Sequence, residues 1–470
     1  MSEAVDESFD VIVVGAGAVG ENAADRAGRS GLKVMVVERR LVGGECSFYA
    51  CTPTKAMLRP VHAAHAAQRV RGVAGAHLVP AEVMARRDYW ISDLDDSGAV
   101  RWLESAGIAL VRGTARLVGE RLVEVDGTTY RAGAAVVVAT GTSPAVPDLP
   151  GLRDAKPWTN IEATTSSTVP ERLVILGGGV VACETAQIYC ALGSRVTLVE
   201  RGPRLLGRAE PFASSLVAAA LAREGVDVRL GVTVTAVSRP EPGGEVTVTL
   251  SDGSTVAGDE VMAAMGRTPN TGDLGLDVVG AEVDESGYVV VDDSMRVTSV
   301  PGDWLYAVGD VTGRNLLTHM GKYQARVAGD IIAARGAGRA TDGPGMRAWA
   351  DHLGAPQVVF TDPEVSSVGL TEAAARERGM DVRVVNVKMR AASGAGLQAD
   401  EYEGYAQIVV DESRRVVVGA TFVGQDTAEM VHAAGIAVVG EVPLERLWHV
   451  VPSFPTMSEI WLRLLEHYGL

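Results

Sequence analysis

The chain has 470 residues, with 43 Lys and Arg against 59 Asp and Glu and a formal net charge of -16. With 47% apolar and 22% charged side chains it can form about three domains, each with its own core, which excludes wholesale disorder. The acidic balance leaves no broad footprint for nucleic acid or an anionic membrane, and no apolar run reaches the length of a membrane span.

The opening Met1-Ser2-Glu3-Ala4 lacks the basic-then-apolar pattern of a secretory leader, so a cytoplasmic location is expected. Residues 11–14, all Val or Ile, read as a buried parallel strand that runs straight into Gly15-Ala16-Gly17-Ala18-Val19-Gly20. An Ala-rich helix follows, then a strand over 34–37 ending in Glu38 and Arg39. A lone GxGxxG is weak; one set between strand and helix, with an acid about twenty residues on, marks a dinucleotide-binding unit. Next comes Gly43-Gly44-Glu45-Cys46, with Cys51, Pro53 and Lys55 close behind. Residues 134–141 read as a closing strand that ends in Thr140 and Gly141, and the PDLPG of 147–151 as a crossing between domains.

The pattern then returns. Residues 173–176 form a strand, Gly177-Gly178-Gly179 opens a helix, and 196–199 form a second strand ending in Glu200. From Gly15 to Glu38 is 23 positions, and from Gly177 to Glu200 is again 23. Two nucleotides are therefore implied. Cys183 and Cys190 lie in the apolar helix between and read as core. Residues 261–266 close this unit at Gly266, and Gly309-Asp310 follows a further strand. A helix is expected over 316–334 and a linker over 335–345. The remainder, 346–470, alternates strands and helices without a nucleotide motif. The predicted domains are 1–150 and 276–345 for the first nucleotide, 151–275 for the second, and 346–470 for packing or association.

Each Gly-rich turn places a pyrophosphate on backbone N–H groups at a helix N-terminus, with Glu38 or Glu200 accepting from ribose hydroxyls. A carboxylate there disfavours a 2'-phosphate, so Glu200 points to NAD(H); Arg201 and Arg204 nearby leave NADP(H) open. Cys46 and Cys51, about a helical turn apart, come within reach of a disulfide once that turn is distorted. A helix start and Lys55 favour a thiolate. They lack further Cys or His at ligand spacing, so no metal is expected.

These motifs resemble those of the flavoprotein disulfide reductases, the class I pyridine nucleotide-disulfide oxidoreductases that include dihydrolipoamide dehydrogenase, glutathione reductase and mercuric reductase. The likeness runs over nearly the whole chain. It rests on the first GxGxxG, Gly43 through Lys55, Ala139-Thr140-Gly141, Gly177 through Glu184, Gly266-Arg267-Thr268-Pro269-Asn270 and Gly309-Asp310. Phe360-Thr361-Asp362-Pro363-Glu364 and Pro455 through Glu459 mark the family's dimerisation domain. The resemblance implies an α/β fold with two Rossmann-like domains and an α+β C-terminal domain, forming a homodimer. It implies FAD at the first turn, with Ala115 in the segment near the adenine and Asp310 near the ribityl chain. NAD(P)H is implied at the second. It makes Cys51 the charge-transfer thiolate, Cys46 the interchange thiol, Lys55 and Glu184 an ion pair beside the flavin, and Thr318-His319-Met320 a helix start facing its pyrimidine end.

One departure matters. The family closes with His-Pro-Thr-x-x-Glu, and here Phe454 stands in place of the His while Glu459 is kept. A phenyl ring carries no proton, and loss of a general base costs about a hundred- to ten-thousand-fold. Three functions stay open: a dithiol enzyme acting on a disulfide or thiol-reactive small molecule, a direct NAD(P)H:quinone or dye reductase with the disulfide as bystander, and a non-catalytic dimeric redox-sensing scaffold.

Overall fold

The computed structural model describes residues 7–470; residues 1–4, on which the absence of a leader was read, lie outside them. It divides into two compact units, one of residues 7–53, Asp88–Pro144 and Arg267–Asp351, the other of Thr54–Arg87, Ala145–Gly266 and His352–Leu470. Among the described residues no helix is long and apolar enough to cross a membrane.

The first unit is built on a seven-stranded sheet. Ala109–Arg112, Val34–Glu38, Glu7–Val14, Thr128–Val138 and Leu305–Ala307 run parallel in that order, and an antiparallel hairpin of Ala115–Gly119 and Leu122–Val125 extends it. The β-branched run at 11–14 is buried on both faces, as a central parallel strand must be. Helices Ala18–Gly28 and Thr318–Gly336 pack against each other over it. At their crossing a Cβ on Gly321 would stand 2.6 Å from Val19 Cγ2, so glycine is what lets them approach. The second helix begins two residues later than the sequence suggests, because Leu317 is still extended.

In the second unit a four-stranded parallel sheet repeats the same order: Asp227–Leu230, Arg195–Glu200, Arg172–Leu176, Glu260–Ala263. A three-stranded antiparallel sheet lies between its last two strands in the chain. The C-terminal segment is a five-stranded antiparallel sheet centred on Val416–Gly424, whose nine residues are all buried. Helices Val431–Val439 and Ile460–Tyr468 share its core, and Trp461 sits 5.9 Å from the Phe422 ring. The aromatic end of the chain is thus packing at Trp461.

Within this unit an ionic cluster pins the 54–68 stretch of the helix Cys51–Gln68. Asp362 is 5% exposed and accepts from His65 Nδ1 at 2.8 Å and from Arg69 at 2.7 and 2.8 Å. Burial alone would raise its carboxyl, but the hydrogen bonds and charges of His65 and Arg69 outweigh it and hold the group down to about 2. His65 is raised in return, chiefly by its hydrogen bond to Asp362. Removing one member of a buried pair strands the other, so Asp362→Asn is expected to cost about 3 kcal/mol at pH 7 in urea unfolding. A carboxyl depressed on folding gives stability that is complete above about pH 4 and lost as the pH falls through the folded value. The raised His65 gives stability lost as the pH rises through its own folded value. The gap between wild type and variant is therefore widest between about pH 4 and 6.5, and it narrows both on stronger acidification and as the pH rises through the folded value of His65.

Candidate active site

The first Gly-rich turn is held from both sides by backbone. Gly15 N–H donates to Val37 O at 2.8 Å, and Ala139 N–H to Val14 O at 2.8 Å. A Cβ on Gly20 would lie 1.9 Å from Gly15 O, so only glycine lets the helix start this close to the strand end. Gly17 caps the helix Ala18–Gly28 without any side-chain cap, which leaves its first N–H groups for an anion. Glu38 accepts from Ala16 N–H at 2.9 Å and from Arg40 N–H at 2.7 Å. The acid therefore braces the turn as well as facing the space above it.

The dithiol segment docks on that turn. Gly43 N–H donates to Ala16 O at 2.8 Å, and a Cβ on Gly44 would stand 2.7 Å from Gly17 Cα. Cys46 sits in the short helix Gly44–Phe48, and Cys51 opens the helix Cys51–Gln68. The distortion the spacing demanded is the break between them at Tyr49 and Ala50. Thr318 Oγ1 lies 3.5 Å from Cys51 Sγ. The Cys46 thiol is pushed up by its hydrogen bond with Cys51, by burial and by the Cys51 charge; a hydrogen bond from Thr318 and the Lys322 charge oppose this.

A cavity of about 400 Å³ joins these parts within the first unit. It takes in Glu38, Arg39 and Ala115, the turn at Gly15 and Gly17, Thr140 and Gly141, and then Gly44, Glu45, Cys46, Asp310 and Thr318. Ala16 and Gly20 support the turn from beneath. His319 and Met320 are not among the lining residues, and Met320 is 3% exposed, so of the three helix-start residues only Thr318 meets the cavity. Asp310 accepts from Thr142 Oγ1 at 3.1 Å; burial raises its carboxyl, eased by the Arg267 charge. Arg267 was quoted in a motif but not singled out. It pairs with Glu45, with one contact at 3.1 Å, and donates to Thr142 O at 2.8 Å. The signal for it was a lone Arg after Gly266, whose partner could not be read from spacing. Gly266 itself does not line this cavity; its carbonyl accepts from Ala145 N–H at 2.9 Å.

The cavity suits a long dinucleotide: bare N–H groups at a helix start, backbone where a Cβ would intrude, an acid and arginines on the wall, and a thiol. The second unit repeats the turn nearly bond for bond. Gly177 N–H donates to Val199 O at 2.8 Å, Ala264 N–H to Leu176 O at 2.9 Å, and Gly179 caps the helix Val180–Ala191. Glu200 accepts from Gly202 N–H at 2.6 Å, as Glu38 does from Arg40. Cys183 is fully buried and Cys190 half-buried, donating to Glu224 O. Glu184, 2% exposed, bridges Lys55 Nζ at 2.7 Å and Phe360 N–H at 2.8 Å.

Phe454 is 76% exposed, beside the equally open Val450 and Val451. Glu459 is buried, and both its oxygens are engaged: one accepts from Ser393 N–H at 3.0 Å, the other from Arg463 at 2.6 Å. Those contacts, led by the Ser393 N–H, lower its carboxyl. Glu459 is thus a fixed anion tying the start of the short helix Ser393–Gln398 to the last helix.

Comparison with known proteins agrees with this construction. The chain belongs to the pyridine nucleotide-disulphide oxidoreductases: the family pattern matches residues 9–330, and that of the family's dimerisation domain residues 355–464. It is 34% identical to the dihydrolipoyl dehydrogenase of Thermus scotoductus, over 96% of each chain. It is 32% identical to a glutathione reductase of Burkholderia cepacia, over 97% of this chain and 98% of that one. The solved structure of the HOCl-induced flavoprotein disulfide reductase RclA from Escherichia coli matches with a TM-score of 0.82 at 26% identity, over 97% of this chain and 99% of that one. Members of the family use FAD and NAD(P)H, and the chain is an FAD-dependent oxidoreductase of this kind. Gly20→Val is expected to purify without the visible flavin spectrum, since a side chain there displaces the turn that receives the pyrophosphate; absorbance after heat release of the cofactor checks it.

Proposed function

We propose that the chain passes electrons from NAD(P)H to the Cys46–Cys51 pair, and from there to a disulfide or thiol-reactive small molecule. The observation that carries this is the docking of the dithiol segment on the Gly-rich turn, with Cys46 and Thr318 on the wall of one cavity. FAD, when bound, supplies the two-electron relay between nicotinamide and dithiol. The N–H groups of 17–20 hold its pyrophosphate, Glu38 its ribose, and Asp310 the polar chain beyond. In the second unit Gly177, Gly179 and Glu200 hold the nicotinamide nucleotide, and the Glu200 carboxylate disfavours a 2'-phosphate. Residues 1–150 and 276–345 serve the flavin, 151–275 the nicotinamide nucleotide, and 346–470 the association of two copies; the open apolar residues at 450, 451 and 454 suit that last role.

A second reading has its own support. Phe454 cannot move a proton and Glu459 is already engaged, so a chain built for direct transfer to a quinone or dye loses nothing at that position. The two readings separate in steady-state assays with NADH. On the first, Cys46→Ser abolishes reduction of a small aromatic disulfide while diaphorase activity with a quinone survives within about threefold, because only the first route needs an interchange thiol. Equal disulfide reduction by Cys46→Ser and wild type would contradict it.

A further inference from the structure

A turn that lines a cavity is only as well placed as the bonds behind it. Val308, Gly309 and Asp310 stand on the cavity wall in the first unit, and the same stretch of chain returns to that wall at Thr318. Gly309 begins the short 3-10 turn Gly309–Thr312 with φ +79° and no side-chain cap, so its N–H finds no partner within the turn. That N–H donates to Gln324 Oε1 at 2.8 Å. Gln324 is fully buried on the helix Thr318–Gly336, and its Nε2 donates to both oxygens of Asp351, at 3.1 and 3.0 Å. Asp351, with its side chain 1% exposed, also holds Arg314 Nε at 3.1 Å and accepts from Asn315 Nδ2 at 3.2 Å. Arg314 is held in turn by Asp292 O at 2.9 Å and Asp293 Oδ1 at 2.6 Å. One buried carboxylate thus fixes the segment 309–318 at two places, through Gln324 at Gly309 and directly at Arg314 and Asn315. All of these residues belong to the first unit. Asp351 lies outside both stretches that the family patterns match, 9–330 and 355–464.

We propose that Asp351 is the hub, and Gln324 the relay, that position the Gly309–Asp310 edge of the cofactor cavity, so that the grip on FAD depends on a carboxylate that is not on the cavity wall. The proposal deepens the reading of this cavity as the flavin site and rests on it. An amide can accept from the Gly309 N–H with one end and donate to a carboxylate with the other. Turned over, it would set its NH2 against an N–H and its oxygen against an anion, so its orientation is fixed from both sides. Gln324→Glu keeps the bond to Gly309 but sets a second buried carboxylate against Asp351, where like charges repel. Adding Asp351→Asn to it puts an N–H donor back into the gap. Gln324 and Asp351 act through the backbone of Gly309 and are positioning residues.

The test is the rate of FAD release from purified holoenzyme on dilution at a fixed temperature, read as the rise of free-flavin fluorescence, with far-UV circular dichroism at that temperature to show an intact fold. Gln324→Glu is expected to release FAD about tenfold faster than wild type, the scale of one lost hydrogen bond to a charged group. Gln324→Glu combined with Asp351→Asn is expected to return to within about threefold of wild type, because the two side chains act as one pair. Independent packing roles would add instead of cancelling. Release at the wild-type rate in Gln324→Glu, or a double variant no slower than the single one, overturns the proposal. Should Gln324→Glu fail to fold, Asp351→Asn alone takes its place. It withdraws the charge that Gln324 and Arg314 share and is expected to speed release about threefold; release at the wild-type rate overturns the proposal. The placement of FAD in this cavity fails separately, as a Gly20→Val variant that keeps its flavin.

Discussion

The contact on which the site depends has no side chain in it. The Gly-rich turn and the dithiol segment meet backbone to backbone, with Gly43 N–H on Ala16 O and Gly44 against Gly17 Cα. A methyl group on Gly44 would hold the segment away from the turn. Because the approach is this close, one cavity takes in both the N–H groups that suit a pyrophosphate and the sulfur of Cys46. Everything chemical that is proposed for the chain follows from that shared wall, since electrons cross only between groups held in reach of each other.

Around this contact the first unit places its charges with economy. Arg267 is neutralised by Glu45, Asp310 is steadied by Thr142, and Glu38 binds the turn it faces. The second unit has the same turn with its own acid, then adds the Lys55–Glu184 pair and the Asp362 cluster. The family's proton carrier is the one part replaced outright, and the acid kept from its motif, Glu459, has become a structural anion.

Much of this was legible in the sequence because it depends on local rules. The two strand–glycine–helix–strand–acid units are fixed by apolar runs and by a spacing of 23 that occurs twice, and the structure repeats their hydrogen bonds almost one for one. The cysteine pair announced a distorted turn, found at Tyr49 and Ala50. What the sequence concealed depends on residues far apart in the chain. Arg267 finds Glu45 222 positions away, and His65 finds Asp362 297 away; no spacing rule joins them. His319 and Met320 were grouped with Thr318 as a motif, yet a helix shows one face to a cavity, and only Thr318 lies on it. Glu459 was read through the motif that contained it, and its partners Ser393 and Arg463 stand on two helices that the motif does not mention.

The claim that matters most is that the dithiol belongs to the electron path. Anaerobic titration of the purified holoenzyme with NADH, followed by absorbance in wild type and Cys46→Ala, tests it directly. Flavin and disulfide together accept about two NADH per chain, with a long-wavelength thiolate–flavin band that the variant alters. If about one NADH bleaches the flavin in both proteins and no such band forms, the cysteines stand outside the path and the account is wrong at its centre.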